Sequence, residues 1–238
     1  MVSKNPFSIR FLQDFRLLAD EGKVVKSARS RGHKDGWGVV HFDEQPVYLG
    51  HKSLYDDGSE ANAAVSAEYD KVCDTVREEQ LKGILLAHLR KASSGRKILE
   101  NTAPFIDKGW IFSHNGTIYG LGSEETSDSR RLFQMLLEEI EKHGDPVEGI
   151  ISVVKQIRDN YKYSSLLFLL SNGKQLYAYR DYTRGTDWDY YSIKYAKVDP
   201  STLIFSQEET WKLEWEAIPN RRLLVAHRNL KNEKPIKI

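Results

Sequence analysis

The chain has 238 residues, enough for one large domain or two small ones with a real core. Its 35 Lys and Arg balance 34 Asp and Glu, which argues against a dedicated nucleic-acid or membrane-surface binder. No apolar run approaches the ~20 residues of a membrane span, the start lacks the apolar stretch of a secretory leader, and the single cysteine, Cys73, excludes an internal disulfide and fits a reducing cytoplasm.

The first predicted helix runs from Ser8 to Ala19, with Ser8 as cap, Phe11, Leu12, Phe15 and Leu18 as apolar stripe, and Gly22 as stop. Two strands follow, GWGVVHF (36–42) and PVYLGH (46–51). A second helix is expected from about Ser59 to Gly83, with Val65, Tyr69, Val72, Cys73 and Val76 on one face. ILLAHLR (84–90) and WIFSHNGTI (110–118) read as strands, the second broken by Asn-Gly. Two more helices come next. One places Phe133, Leu136, Leu137 and Ile140 together and stops at Gly144. The other starts at Asp145, with Pro146 at its first position and Glu148 completing a capping box. The last third is strand-rich. It opens with a hairpin over 164–180 whose Asn172-Gly173 suits a two-residue type I′ turn, followed by YYSIKYAKV, TLIFS and RRLLVAH. No linker or repeat interrupts this order, which predicts one α+β domain over 1–238, with helices packed on antiparallel sheets.

Three polar stretches sit where a plain core would not want them. RGHKDGWG (31–38) holds three glycines in eight residues, so its backbone turns sharply or lies close to a ligand. Taken alone, it reads as a turn before a strand. In AHLRKASSGRKILENTAPF (87–105) an apolar strand delivers Arg90 at its end, just before Ser93 and Ser94. A guanidinium suits a carboxylate, although an ordinary exposed arginine is the plainer reading. In FSHNGTI (112–118) the Asn-Gly is either a hairpin turn or a pair of N–H donors converging on one oxygen. In TSDS (126–129), Asp128 opens a helix, as a cap or as a partner for an ammonium. No Cys/His cluster has metal-ligand spacing, and no cofactor is implied.

In this order and spacing the stretches, with the tail LIFSQEETWKLEWEAIPNRRLLVAH (203–227), resemble the glutamine amidase domain of class II glutamine amidotransferases. These are N-terminal nucleophile hydrolases, and the likeness is strongest to members that stand alone as this domain. The resemblance implies a four-layer αββα sandwich, two antiparallel sheets between helical layers. It implies hydrolysis of the glutamine side-chain amide to glutamate and ammonia, or of another γ-glutamyl amide. Arg90, helped by Ser93, would hold the α-carboxylate and Asp128 the α-ammonium. The Asn115 side chain and the Gly116 N–H would form the oxyanion hole. Arg31 and Gly32 would line the nucleophile end, mostly through backbone. The expected partner is glutamine or a γ-glutamyl small molecule, with no nucleic acid or membrane, and any ammonia-accepting subunit is unidentified.

The family nucleophile is an N-terminal cysteine whose own amine, titrating near ~8, serves as base. Position 2 here is Val2, Ser3 is not terminal, and Cys73 lies mid-helix, where a buried structural thiol is expected. Met1-Val2-Ser3 reads as the tail of a strand whose start, with the cysteine, is missing. Alternatively the protein is a binding module that retains the amino-acid pocket without turnover, or an interaction domain that keeps the fold only. The chain as given is expected to be inactive.

Overall fold

The computed structural model describes residues 1–28, 30–183, 185–230 and 235–238. In chain order the elements are β1 (Val2–Ser3), α1 (Arg10–Glu21), β2 (Gly36–Phe42), β3 (Pro46–Ser53), α2 (Leu54–Asp57), α3 (Ala67–Glu78), β4 (Gly83–Arg90), β5 (Phe105–Asp107) and β6 (Trp110–Asn115). Then come α4 (Asp128–His143), α5 (Pro146–Asn160), β7 (Leu167–Ser171), β8 (Gln175–Arg180), β9 (Lys194–Asp199), β10 (Thr202–Ser206), β11 (Glu216–Ala217), β12 (Arg222–His227) and β13 (Ile236–Lys237).

The strands form two antiparallel sheets, ordered β11-β9-β10-β1-β4-β2-β3 and β13-β12-β8-β7-β6-β5. Val40, Phe42, Ile84 and Leu86 of the first face Ile111, Leu167 and Leu224 of the second across a shared core. On the outer face of the first sheet, Leu12 of α1 and Tyr69, Val72 and Val76 of α3 pack on Trp37, Val39 and Leu85. On the outer face of the second, Leu136 and Ile140 of α4 and Ile150, Val153 and Ile157 of α5 pack on Phe112, Phe168 and Tyr179. The result is the four-layer αββα sandwich that the resemblance implies.

Local chemistry sets several boundaries that periodicity misplaces. The helix expected over 59–83 begins only at Ala67, because Ser66 Oγ accepts the Tyr69 N–H at 3.1 Å and caps it there. Val65 therefore lies outside the helix and is 66% exposed. In α1 the position before the first turn is Ile9, and Ser8 makes no side-chain cap. In α5 Asp145 does cap, accepting the Val147 and Glu148 N–H groups at 2.8 and 3.0 Å. The 164–180 hairpin forms, but its last cross-strand pair is Ser171 with Leu176, so four residues, 172–175, lie inside that pair. Asn172 Oδ1 holds that longer loop by accepting the N–H groups of Lys174 and Gln175 at 3.1 and 2.9 Å. The strand expected to reach residue 118 ends at Asn115, and that expected over 190–198 starts at Lys194.

β1 lies mid-sheet. Val2 pairs with Leu203 on one side and with Ile84 on the other, and Met1 exchanges both backbone hydrogen bonds with Leu85. Beyond Met1, residues 86–90 of β4 and 204–206 of β10 have no ladder partner on their facing edges among the described residues. A strand-wide slot therefore separates β4 from β10, and it opens into the main cavity.

Candidate functional site

β4 and β6 approach each other at the end of the sandwich, one from each sheet, above a cavity of about 490 Å³. Arg90, Ser93, Asn115, Gly116 and Asp128 all line it, as do His33, His88 and His114. The alternation of β4 puts His88 and Arg90 on the inner face with Leu86 and Ile84. Leu85 and Leu89 then point outward to the α1 and α3 layer.

Arg90 is 6% exposed, and no carboxylate bonds it directly among the described residues. Its Nη1 donates to Arg96 O and its Nη2 to Ser94 O, each at 3.1 Å, so the loop after β4 wraps around its own arginine. Burial lowers the guanidinium's pKa, and the charges of Asp35 and Asp128 oppose that shift. With five N–H donors, Arg90 keeps three for a ligand. Asp35 fixes the base of this loop. Its carboxylate accepts the Ala92 N–H at 2.9 Å and the Lys97 ammonium at 2.6 Å.

Asp128 is 3% exposed and does not cap its own helix; Ser127 does, accepting the Arg130 N–H at 3.3 Å. Asp128 Oδ2 instead reaches back to the Ile118 N–H at 2.7 Å. The carboxylate stays at the N-terminus of α4, where the helix dipole favours its charge, and turns toward the cavity. Ser93 joins the loops, its Oγ bonded to Thr117 Oγ1 at 2.8 Å.

At the end of β6, Asn115 Nδ2 donates to Gln207 Oε1 at 2.7 Å, and Tyr190 Oη donates to Asn115 Oδ1 at 3.4 Å. Gln207 is aligned in turn by donating to Tyr190 O at 2.7 Å. Oδ1 and one of the two amide protons of Asn115 are thus committed, leaving the second proton for the cavity. Gly116 has φ of +147°, and a Cβ there would lie 2.1 Å from Ser165 O. Only glycine fits this turn, and its N–H makes no hydrogen bond among the described residues. Behind the turn, His114 Nε2 donates to Ser165 O at 3.2 Å, so its Nδ1 accepts the Ser129 hydroxyl at 2.9 Å in the neutral ring. Two N–H donors beside one another, one from a side chain and one from backbone, can stabilise an oxyanion.

Not every residue singled out in the sequence comes here. Arg31 is exposed and does not line the cavity. Gly32 packs under the end of α1, where a Cβ would lie 2.2 Å from Ala19 O; its neighbour His33 reaches the cavity instead. Cys73 is 5% exposed in the outer core, and burial pushes its thiol up to about 11. No cysteine lines the cavity. Tyr190, Gln207 and Asn101, which do, carry no signal in the sequence that sets them apart.

The family model for class-II glutamine amidotransferases matches residues 1–232. An uncharacterized protein of Methanocaldococcus jannaschii is 32% identical over 169 residues, covering 65% of this chain and 44% of that protein. A gamma-glutamyl-hercynylcysteine sulfoxide hydrolase of Mycolicibacterium smegmatis is 27% identical over 232 residues, covering 90% of each. Among solved structures, an allosteric regulatory enzyme of purine biosynthesis superposes with a TM-score of 0.65 at 14% identity, over 98% of this chain and 48% of that one. At that identity the likeness shows the fold alone, the layered sandwich described above.

Proposed function

The chain belongs to the class-II glutamine amidotransferase family, and from that premise we propose that its cleft binds the amino-acid end of glutamine or of a γ-glutamyl amide. The observation that carries this reading is the pairing of two buried, opposite charges, Arg90 and Asp128, on one cavity with the Asn115–Gly116 donors. An α-amino acid is a zwitterion, so its recognition needs one fixed cation and one fixed anion. Arg90 supplies the first for the carboxylate, with Ser93 beside it, and Asp128 supplies the second for the ammonium. The side-chain amide then extends toward Asn115 and Gly116, which would stabilise the oxyanion formed when its carbonyl is attacked, a contribution of about 10²–10³ in turnover.

No cysteine, the family's attacking group, is among the residues that line the cavity. The chain's cysteine is elsewhere, and Ser93, whose Oγ bonds Thr117 Oγ1, has no base bonded to it among the described residues. We therefore expect ligand binding without turnover. A γ-glutamyl amide other than glutamine is a second substrate reading, supported by the mycobacterial hydrolase that matches along nearly its whole length.

Titration calorimetry with glutamine tests the proposal. Saturable binding is expected, weakened about tenfold or more by Arg90→Ala and by Asp128→Asn, because each removes a charge-assisted contact of ~1.5–3 kcal/mol. Purified protein should release no ammonia from glutamine. Binding that neither substitution weakens would leave only the interaction-domain reading.

A further inference from the structure

We infer that Asn101 is a positioning residue that sets the separation between the carboxylate-binding and ammonium-binding poles of the cleft. This role rests on the amino-acid-binding reading given above.

Arg90 stands at the end of β4 in the first sheet, and Asp128 stands on α4 beside the second. Opposite charges in a poorly solvated cavity attract strongly, and the Asp128 charge raises the proton affinity of the Arg90 guanidinium. Yet no ion pair joins them among the described residues, and each is held by backbone of its own segment. Some group must therefore keep the two segments in register, or the charges would close on each other and exclude the zwitterion.

Asn101 is placed to do this. It is 2% exposed, and its side-chain amide is bonded to both segments. Nδ2 donates to Arg96 O at 3.3 Å and to Glu125 O at 3.0 Å, while Oδ1 accepts the Ser127 N–H at 2.8 Å. Arg96 O is the same carbonyl that receives Arg90 Nη1, and Ser127 is the residue before Asp128. One amide thus links the carbonyl that seats the cation to the peptide that carries the anion. A primary amide suits the task because it offers two donors and an acceptor without adding charge between two charged groups. The backbone bond from Arg96 N to Glu124 O ties the same two loops independently. Loss of the Asn101 side chain should therefore leave them joined but free to shift.

The test compares three ligands by calorimetry: glutamine, its analogue lacking the amine (glutaramic acid), and its analogue lacking the carboxylate (4-aminobutanamide). In the wild-type chain glutamine should bind at least about tenfold more tightly than either one-pole analogue. Asn101→Ala should weaken glutamine about tenfold and each analogue less than about threefold, because only the two-pole ligand senses the spacing. Asn101→Asp keeps the size and the acceptor for Ser127 N–H but repels the two carbonyls, and should behave alike. Circular dichroism checks that the variants fold. Equal losses for all three ligands, no loss for glutamine, or failure of both variants to fold would each overturn the role. If the wild-type chain binds none of the three, the cleft reading falls and this role with it; a wild type that binds, with uniform losses in the variants, removes this role alone.

Discussion

His33 and His88 sit in the cavity with their imidazoles held neutral. Burial depresses His33 to about 4 and His88 to about 3, and the charges of His33, Arg90 and His114 lower His88 in the same direction. An unfolded histidine titrates near ~6.5. Between that value and the folded one, the unfolded chain takes up protons that the folded chain refuses, so stability is fully present above pH ~6.5 and is lost as pH falls. Each of the two histidines should lower the unfolding free energy by about 1 kcal/mol per pH unit between pH ~6.5 and ~5. Urea unfolding at several pH values measures this, and His88→Gln should flatten the slope by about half of that sum; identical slopes would rule His88 out as its source. At this scale the sequence is informative where a residue breaks a pattern. Arg90 ends an apolar strand, Asn115-Gly116 interrupts an aromatic one, and Asp128 opens a helix. Asn101, Tyr190 and Gln207 break nothing. Asn115 meets Gln207 across 92 positions of chain and Asn101 meets Glu125 across 24, so their partners follow from folding and not from spacing.

Among the elements, those whose ends carry their own chemistry are legible and the others are not. β2 and β10 match their apolar runs residue for residue, 36–42 and 202–206. α4 ends where Gly144 takes φ of +68° and donates to Ile140 O at 2.9 Å. α5 begins where Asp145 caps it, so Asp145→Ala should cost about 1 kcal/mol in urea unfolding and leave glutamine affinity unchanged. A loss well below about 0.5 kcal/mol would mean that α5 is held by packing alone. The expected helix over 59–83 fails because two local devices outweigh its periodicity. Asn62 Oδ1 accepts the Ala64 N–H at 3.1 Å, and Ser66 Oγ donates to Glu60 at 2.5 Å while capping Ala67–Glu78. The 172–175 loop differs from a two-residue turn for the same reason, because the Asn172 side chain competes with backbone for the donors of the turn.

Across the whole molecule, the slot between β4 and β10 is lined by strand edges that border the cleft. Strand alternation aims the N–H groups of Ala87, Leu89 and Phe205 into it, whereas Leu86 and His88 pair with β2. Amide exchange should therefore be markedly faster at Ala87 and Leu89 than at Leu86 and His88, and equal protection would contradict the geometry. About five added residues would continue β1 through the slot toward Arg90. A chain so extended, with a terminal cysteine, should protect those amides and release ammonia from glutamine; a folded extension that stays inactive would favour a binding module. By itself the sequence determined the order of strands and helices, the antiparallel pairing and the residue types of the two buried charges, because apolar periodicity and turn chemistry are local properties. Only the tertiary structure decided that Arg90 and Asp128 share a cavity, that Arg31 does not, and that Asn101 bridges the two poles. Those outcomes depend on how two sheets stack, which no short window of sequence encodes.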